Sequence, residues 1–236
     1  MHRRARHLNP KAAGANGVFD ARFGITVSDG STIQTWSNRT GSNDATQSTA
    51  SYRPTFRATG GNANLPTVEF DGTNDHLTHA VSITTAPSVM YSIIKRTASN
   101  SLMFGYGFLP PNTAVFQTMY PDSGGTGYWG ATPGNSGQSI LNEFKICTHK
   151  PSNANTSNST TTFWTNGANE TSATGSRYAG DGTDRRGLGG FTAGISGGER
   201  LTGSISLVVS IPSDITNSLR KRLEQAAGYC FKIACA

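Results

Sequence analysis

Three carboxylates, Glu69, Asp71 and Asp75, fall within VEFDGTNDHL (68–77) in a chain that carries 14 acidic residues in 236. On extended backbone, residues i and i+2 share a face, so Glu69 and Asp71 could point together into a groove as a general acid and base would. The same string argues for a turn, because Gly accepts positive φ and Asn and Asp bond their own backbone. One reading leads to an enzyme, the other to a binding protein. The oxygens of such a loop also suit a hard cation, which makes Asp71 and Asp75 candidate Ca2+ ligands. GDGTD (180–184) is a second oxygen-rich loop, and neither stretch has EF-hand spacing. His76 and His79 lie three apart and point to opposite faces of an extended chain, a poor zinc pair.

Other chemistry is sparse. The Gly/Ser/Pro-rich excursion PDSGGTGYWGATPGNSGQS (121–139) carries Tyr128 and Trp129 beside Asn135 and Gln138. Flat apolar faces next to amide donors are what glycan-binding loops present, and loop-packing aromatics are the alternative. RRGLGG (185–190) reads either as a flexible phosphate or sialate contact or as a solvated turn. There is no G-x-S-x-G elbow and no P-loop, and Cys147 near His149 is an i, i+2 coincidence on one strand. The cysteines Cys147, Cys230 and Cys235 are odd in number and form no CxxC pair, as expected of free thiols kept in a reducing cytoplasm. No cofactor is implied beyond the Ca2+ candidate.

The net charge of +6 is concentrated at one end. Arg3, Arg4, Arg6 and Lys11 lie in MHRRARHLNPK, so residues 1–17 read as a basic arm on a nearly neutral body. Duplex recognition needs a reading element or a broad cationic face, and neither is evident, so an acidic protein surface is the expected partner. The arm lacks the apolar core of a secretory signal, and ISLVVSI (205–211) is too short to cross a bilayer.

These groups must be positioned by strands. Gly numbers 28, charged residues are 14%, and the apolar residues come in short runs between turn signals, which predicts an all-β single domain over 18–236. SVMYSIIKRT reads as a strand covered on both faces, EFKICTHK as another, and TTFWTNGANET as a hairpin about Asn-Gly. One helix closes the chain at about 213–228, capped by Ser213 or Asp214 and ended by Gly228. Its apolar stripe is Ile215, Leu219, Leu223 and Ala226 or Ala227, and Arg220, Lys221 and Arg222 are expected on a solvated face.

The order of signals resembles the concanavalin A-like, laminin G-like jelly-roll domains of bacterial surface proteins and phage structural proteins. Three pieces carry the resemblance: W-x-N-x-x-G (Trp36, Asn38, Gly41), R-P-T-[FY] (Arg53 to Phe56) and F-D-G-x-N-D-x-L (Phe70 to Leu77). The resemblance implies a concanavalin A-like jelly-roll β-sandwich, with ligands on the concave face or in the rim loops. Laminarinase-type glycosidases of that fold carry E-x-D-x-x-E, with two carboxyls about 5 to 5.5 Å apart. Here Glu69 and Asp71 match, while Gly72 interrupts the strand and Asp75 falls one place late. The expectation is therefore a non-enzymatic virion structural protein, a capsid decoration or tail-associated protein made in the host cytoplasm and displayed on the virion surface. It would be tethered by its arm to the major capsid or another virion protein, form a homo-oligomer and possess a contact to host glycans, without membrane or nucleic-acid partners. A free lectin-like module and a glycoside hydrolase are the alternatives.

Overall fold

Period-two patterning builds the sheets. In Thr67–Asp71, Val68 and Phe70 are buried on one face while Glu69 and Asp71 are exposed on the other. The computed structural model describes residues 10–82, 87–98, 106–109, 118–121, 128–131, 134–152, 159–175, 185–190 and 200–235. In chain order these form β1 (Gly17–Asp20), β2 (Thr35–Trp36), β3 (Ala45–Thr46), β4 (Thr55–Arg57), β5 (Thr67–Asp71), β6 (Leu77–Thr78), β7 (Val89–Arg96) and β8 (Tyr106–Leu109). There follow β9 (Thr118–Pro121), β10 (Tyr128–Ala131), β11 (Gly134–Ser139), β12 (Lys145–Pro151), β13 (Ser159–Thr165), β14 (Ala168–Gly175), β15 (Arg185–Leu188), β16 (Thr202–Ile211) and the helix α1 (Asn217–Phe231).

Two eight-stranded antiparallel sheets result, so the all-β expectation with one C-terminal helix holds. The first runs β14-β13-β12-β7-β16-β5-β4, with β1 also pairing to β16. The second runs β11-β10-β9-β8-β15-β6-β3-β2. Between them lies one core, with Val68, Phe70, Met90, Ile94 and Val208 from the first sheet and Trp36, Ala45, Leu77 and Leu188 from the second. A second apolar cluster joins the outer face of the first sheet to α1 through Tyr91, Ile93, Ile146, Leu207, Leu223, Ala227 and Phe231. β7 is covered on both faces for this reason, with Val89, Tyr91 and Ile93 toward α1 and Met90 and Ile94 toward the inter-sheet core.

The signature motifs serve this architecture. Trp36 is fully buried, and the Asn38 side chain accepts from the N–H groups of Val18 and Thr40 and donates to the carbonyls of Asn16 and Ser42. Arg53 donates to the carbonyls of Gln47 and Ser48, and Phe56 sits at the core edge. Asn166 and Gly167, at φ of 52° and 79°, form the predicted turn between β13 and β14.

Other expectations shift. RRGLGG is no solvated turn: Arg185–Leu188 is β15, paired to β8 on one side and β6 on the other, with Leu188 in the core. Its glycines reflect close packing, since a Cβ on Gly189 would strike the Phe70 ring. Within 121–139, two strands, β10 and β11, stand where an excursion was expected. The helix begins at Asn217, with the Thr216 hydroxyl accepting from the Leu219 N–H, while Asp214 pairs with Lys150 at 2.5 Å. Gly228 lies inside the helix, and a Cβ there would sit 2.7 Å from the Ile233 carbonyl oxygen as the chain folds back, so the position needs a glycine. Lys232 caps the end in the left-handed conformation. Arg220 is not solvated but buried against α1's own Glu224 and over the Trp164 ring, 4.1 Å from its centroid. Within the expected arm, Pro10–Ala13 forms a 3-10 turn, Ala15 is buried and β1 starts at Gly17, where it pairs along β16.

Candidate functional site

VEFDGTNDHL is a strand followed by a self-bonded turn. Asp71 Oδ1 accepts from the N–H groups of Thr73, Asn74 and Asp75 at 2.8, 3.2 and 3.3 Å, and Asp75 Oδ2 accepts from the Asp71 N–H at 3.1 Å. Gly72 has φ of 78°, and a side chain there would collide with Thr202. Glu69 faces outward and takes the Arg57 Nε at 2.6 Å. Asp75 is only 8% exposed; burial, with the charge of Asp71 second, pushes its pKa up to about 6.

His76 is fixed beside it. Its Nδ1 lies 2.8 Å from the Asn74 carbonyl, which only accepts, so Nδ1 carries the proton. Nε2 then accepts from the Gln47 amide at 2.8 Å, an orientation consistent with Gln47 Oε1 accepting from the Thr49 N–H. Burial holds this imidazole below the usual histidine range. His79 packs instead on Phe19, with ring centroids 5.2 Å apart. Among the described residues no group of three or more His, Cys, Asp and Glu side chains is placed to hold a metal ion.

A polar depression of about 370 Å³ opens on the second sheet and is lined by Asn43, Asp44, Thr46, Thr78, His79, Ala80 and Arg186. Its floor follows from register. Thr46 and Thr78 are paired across β3 and β6, and Gly187 of β15 pairs with Thr78, so a residue without a side chain sits in the same row. Asn43, at φ of 61°, turns the chain into Asp44. Asp44 Oδ1 accepts from the Asn38 N–H at 2.8 Å, which fixes its carboxylate at the rim. Across from it, Arg186 Nη1 makes long contacts of 3.5 Å to the Ala80 carbonyl and 3.4 Å to the Ser82 hydroxyl. Hydroxyl, amide, carboxylate and guanidinium groups thus face one small space. Such a set can donate to and accept from several hydroxyls of one ligand at once.

Arg186 of RRGLGG and His79 line this depression, while the aromatic and basic residues picked from the sequence lie elsewhere. Tyr128 and Trp129 are on β10, while Asn135 and Gln138 are on β11; Tyr128 pairs with Ser139 and Gly130 with Asn135. That hairpin forms the opposite end of the sheet from β3 and β2. Gln138 is half-buried. Lys11 reaches the Thr40 carbonyl at 3.3 Å, whereas Arg3, Arg4 and Arg6 lie outside the described residues, as does GDGTD. Sequence reasoning missed Asp44, Thr46 and Thr78 because they come from separate segments joined only by strand pairing, whereas Arg186 lies in RRGLGG, the stretch read as a phosphate or sialate contact or a solvated turn.

No protein-family model and no curated protein sequence matches the chain. Solved structures do. A Trypanosoma rangeli sialidase in complex with 2-keto-3-deoxy-D-glycero-D-galacto-2,3-difluoro-nononic acid aligns with a TM-score of 0.54 at 12% identity, over 95% of this chain and 34% of the sialidase. A GH54 α-L-arabinofuranosidase aligns with a TM-score of 0.55 at 11% identity, over 83% of this chain and 50% of that one. An arabinofuranosidase complexed with arabinofuranosyl-α-1,2-xylobiose gives 0.53 at 12%, with the same coverages of 83% and 50%. The chain therefore spans between a third and a half of the length of these proteins, and the likeness is one of fold.

The sialidase and the arabinofuranosidases above are carbohydrate-active proteins. The expectation of a protein without catalytic chemistry is corrected by this finding. Glycosidases carry the same arrangement, so the broken E-x-D-x-x-E pattern does not separate the chain from enzymes.

Proposed function

We propose that this chain engages carbohydrate, receiving a sugar in the polar depression of the second sheet. The observation that carries the reading is the lining itself: the carboxylate of Asp44, the amide of Asn43, the hydroxyls of Thr46 and Thr78 and the guanidinium of Arg186 around a space of about 370 Å³. A pyranose or furanose presents vicinal hydroxyls that need paired donors and acceptors, and a wholly apolar pocket would leave them unsatisfied. The fold likeness to a sialidase and to arabinofuranosidases supports the same ligand class. A glycan array probed with the protein should give saturable hits, and Arg186→Ala should weaken them at least tenfold. Binding that is unchanged in that variant would move the site elsewhere.

Hydrolysis is the second reading, favoured by Asp75. A carboxyl that keeps its proton to about pH 6 can act as a proton donor near neutrality, and Asp71 supplies a second carboxyl in the same turn. Release of 4-nitrophenol from an aryl arabinofuranoside, lost in Asp75→Asn, is the expected signature. No release above the buffer rate from arabinofuranosides and sialosides would remove this reading.

The jelly-roll topology and a place on a virion surface are proposals that rest on the sequence motifs and on the basic arm. Cosedimentation of the full chain with particles, lost on deletion of residues 1–9, is the result expected of a tether. Undiminished cosedimentation would count against it.

A further inference from the structure

A second cavity lies on the outer face of the first sheet, where β1 and its turn meet α1. Asp20 is 1% exposed and holds Arg22 in a two-point pair, with Nε to Oδ1 at 2.9 Å and Nη2 to Oδ2 at 2.7 Å. Arg39 Nη1 reaches the same carboxylate at 3.4 Å. The Arg22 guanidinium stacks 4.3 Å from the Phe231 ring centroid, and Arg39 stacks 4.5 Å from that of Phe23. Behind this lip a cavity of about 380 Å³ opens over Val18, Tyr91, Leu207, Leu223 and Ala227.

The charges at the mouth do not cancel. Among the described residues, two guanidiniums face one carboxylate, which leaves one positive charge in excess. Arg22 is committed to Asp20, but Arg39 has a side chain 45% exposed and gives only one long bond of its five donors. Phe23, 58% exposed, is held in place between the two cations. Among the described residues, the site thus couples an apolar floor to one available cation, Arg39.

We propose that this cavity binds an amphiphilic monocarboxylate, with its apolar body on the floor and its carboxylate on Arg39. A neutral sugar would leave its hydroxyls without partners against Val18, Leu207 and Leu223. A neutral hydrocarbon would forgo the charge-assisted bond, and a dianion would meet Asp20. A volume of about 380 Å³ lies at the small end of ligand sites and suits an acid of about eight carbons.

Titration calorimetry of the full chain with octanoate and with 1-octanol tests the assignment. Octanoate should bind one to one and at least tenfold more tightly than 1-octanol. Arg39→Ala should erase that preference while leaving 1-octanol binding unchanged, with circular dichroism confirming the fold. Ala226→Phe, which fills the cavity and keeps both arginines, should abolish binding of both ligands. Equal affinities in the wild type, a preference that survives Arg39→Ala, or no saturable binding by octanoate would overturn the proposal.

Discussion

Asp75 concentrates the physical tension of the chain at one residue. Its carboxyl closes a turn by accepting the Asp71 N–H, yet it does so in a nearly buried position next to Asp71 itself. Its pKa in the folded chain, about 6, stands above the value of 3.8 for the free group, so the folded chain binds the extra proton. The stability linked to Asp75 is therefore full below about pH 3.8 and is lost as pH rises through about 6. With solvent reaching part of the turn, the loss is about 1 to 2 kcal/mol. Burial raises Glu224 as well, which adds a slope of the same sign, so the difference between wild type and Asp75→Asn isolates the Asp75 term. Urea unfolding at a series of pH values should show the wild type losing stability relative to Asp75→Asn between pH 4 and 6. A constant difference would contradict the burial argument. Asn can still accept the Asp71 N–H, so the variant removes the titration and keeps the bond.

At the scale of elements, the contact of α1 with β12 and β13 carries a buried ion pair. Glu224 and Arg220 are 0% and 3% exposed, and the guanidinium lies over the Trp164 ring, whose Nε1 donates to Glu170 at 2.9 Å. Removing one partner strands the other charge. Glu224→Ala should cost about 3 to 5 kcal/mol, while Arg220→Met with Glu224→Leu should cost far less, since apolar side chains of similar volume suit the site. Denaturant unfolding of the three chains checks this, and equal losses would show that packing rather than charge governs the contact. Arg220 also marks a limit of pattern reading: three successive cations look solvated, and only the position of Trp164 across the interface shows which one is covered. The signals that were legible are local ones. Trp36 with Asn38, the Asn166–Gly167 turn and the two-face burial of β7 follow from residues close in sequence. RRGLGG misleads because its glycines answer to Phe70 and to a neighbouring backbone, contacts made by remote segments. The Gly- and Ser-rich β10 and β11 lack the β-branched residues that usually announce a strand.

For the molecule as a whole, the sheets bring together groups that the sequence keeps apart. The candidate sugar site draws on residues 43–46, 78–80 and 186, which meet because β3, β6 and β15 are neighbours in one sheet. The carboxylates of VEFDGTNDHL, which attract attention in the sequence, are occupied in the turn, and the hairpin with Tyr128 and Trp129 lies at the far end of the same sheet. A fold shared with parts of longer proteins leaves function to the site, and the depression is where that site can be tested. The direct measurement is titration calorimetry of the strongest array glycan against the wild type and Arg186→Ala. The account predicts saturable binding by the wild type and a loss of at least tenfold in the variant, with the Arg39→Ala chain unaffected. Equal affinity in the wild type and Arg186→Ala would contradict it.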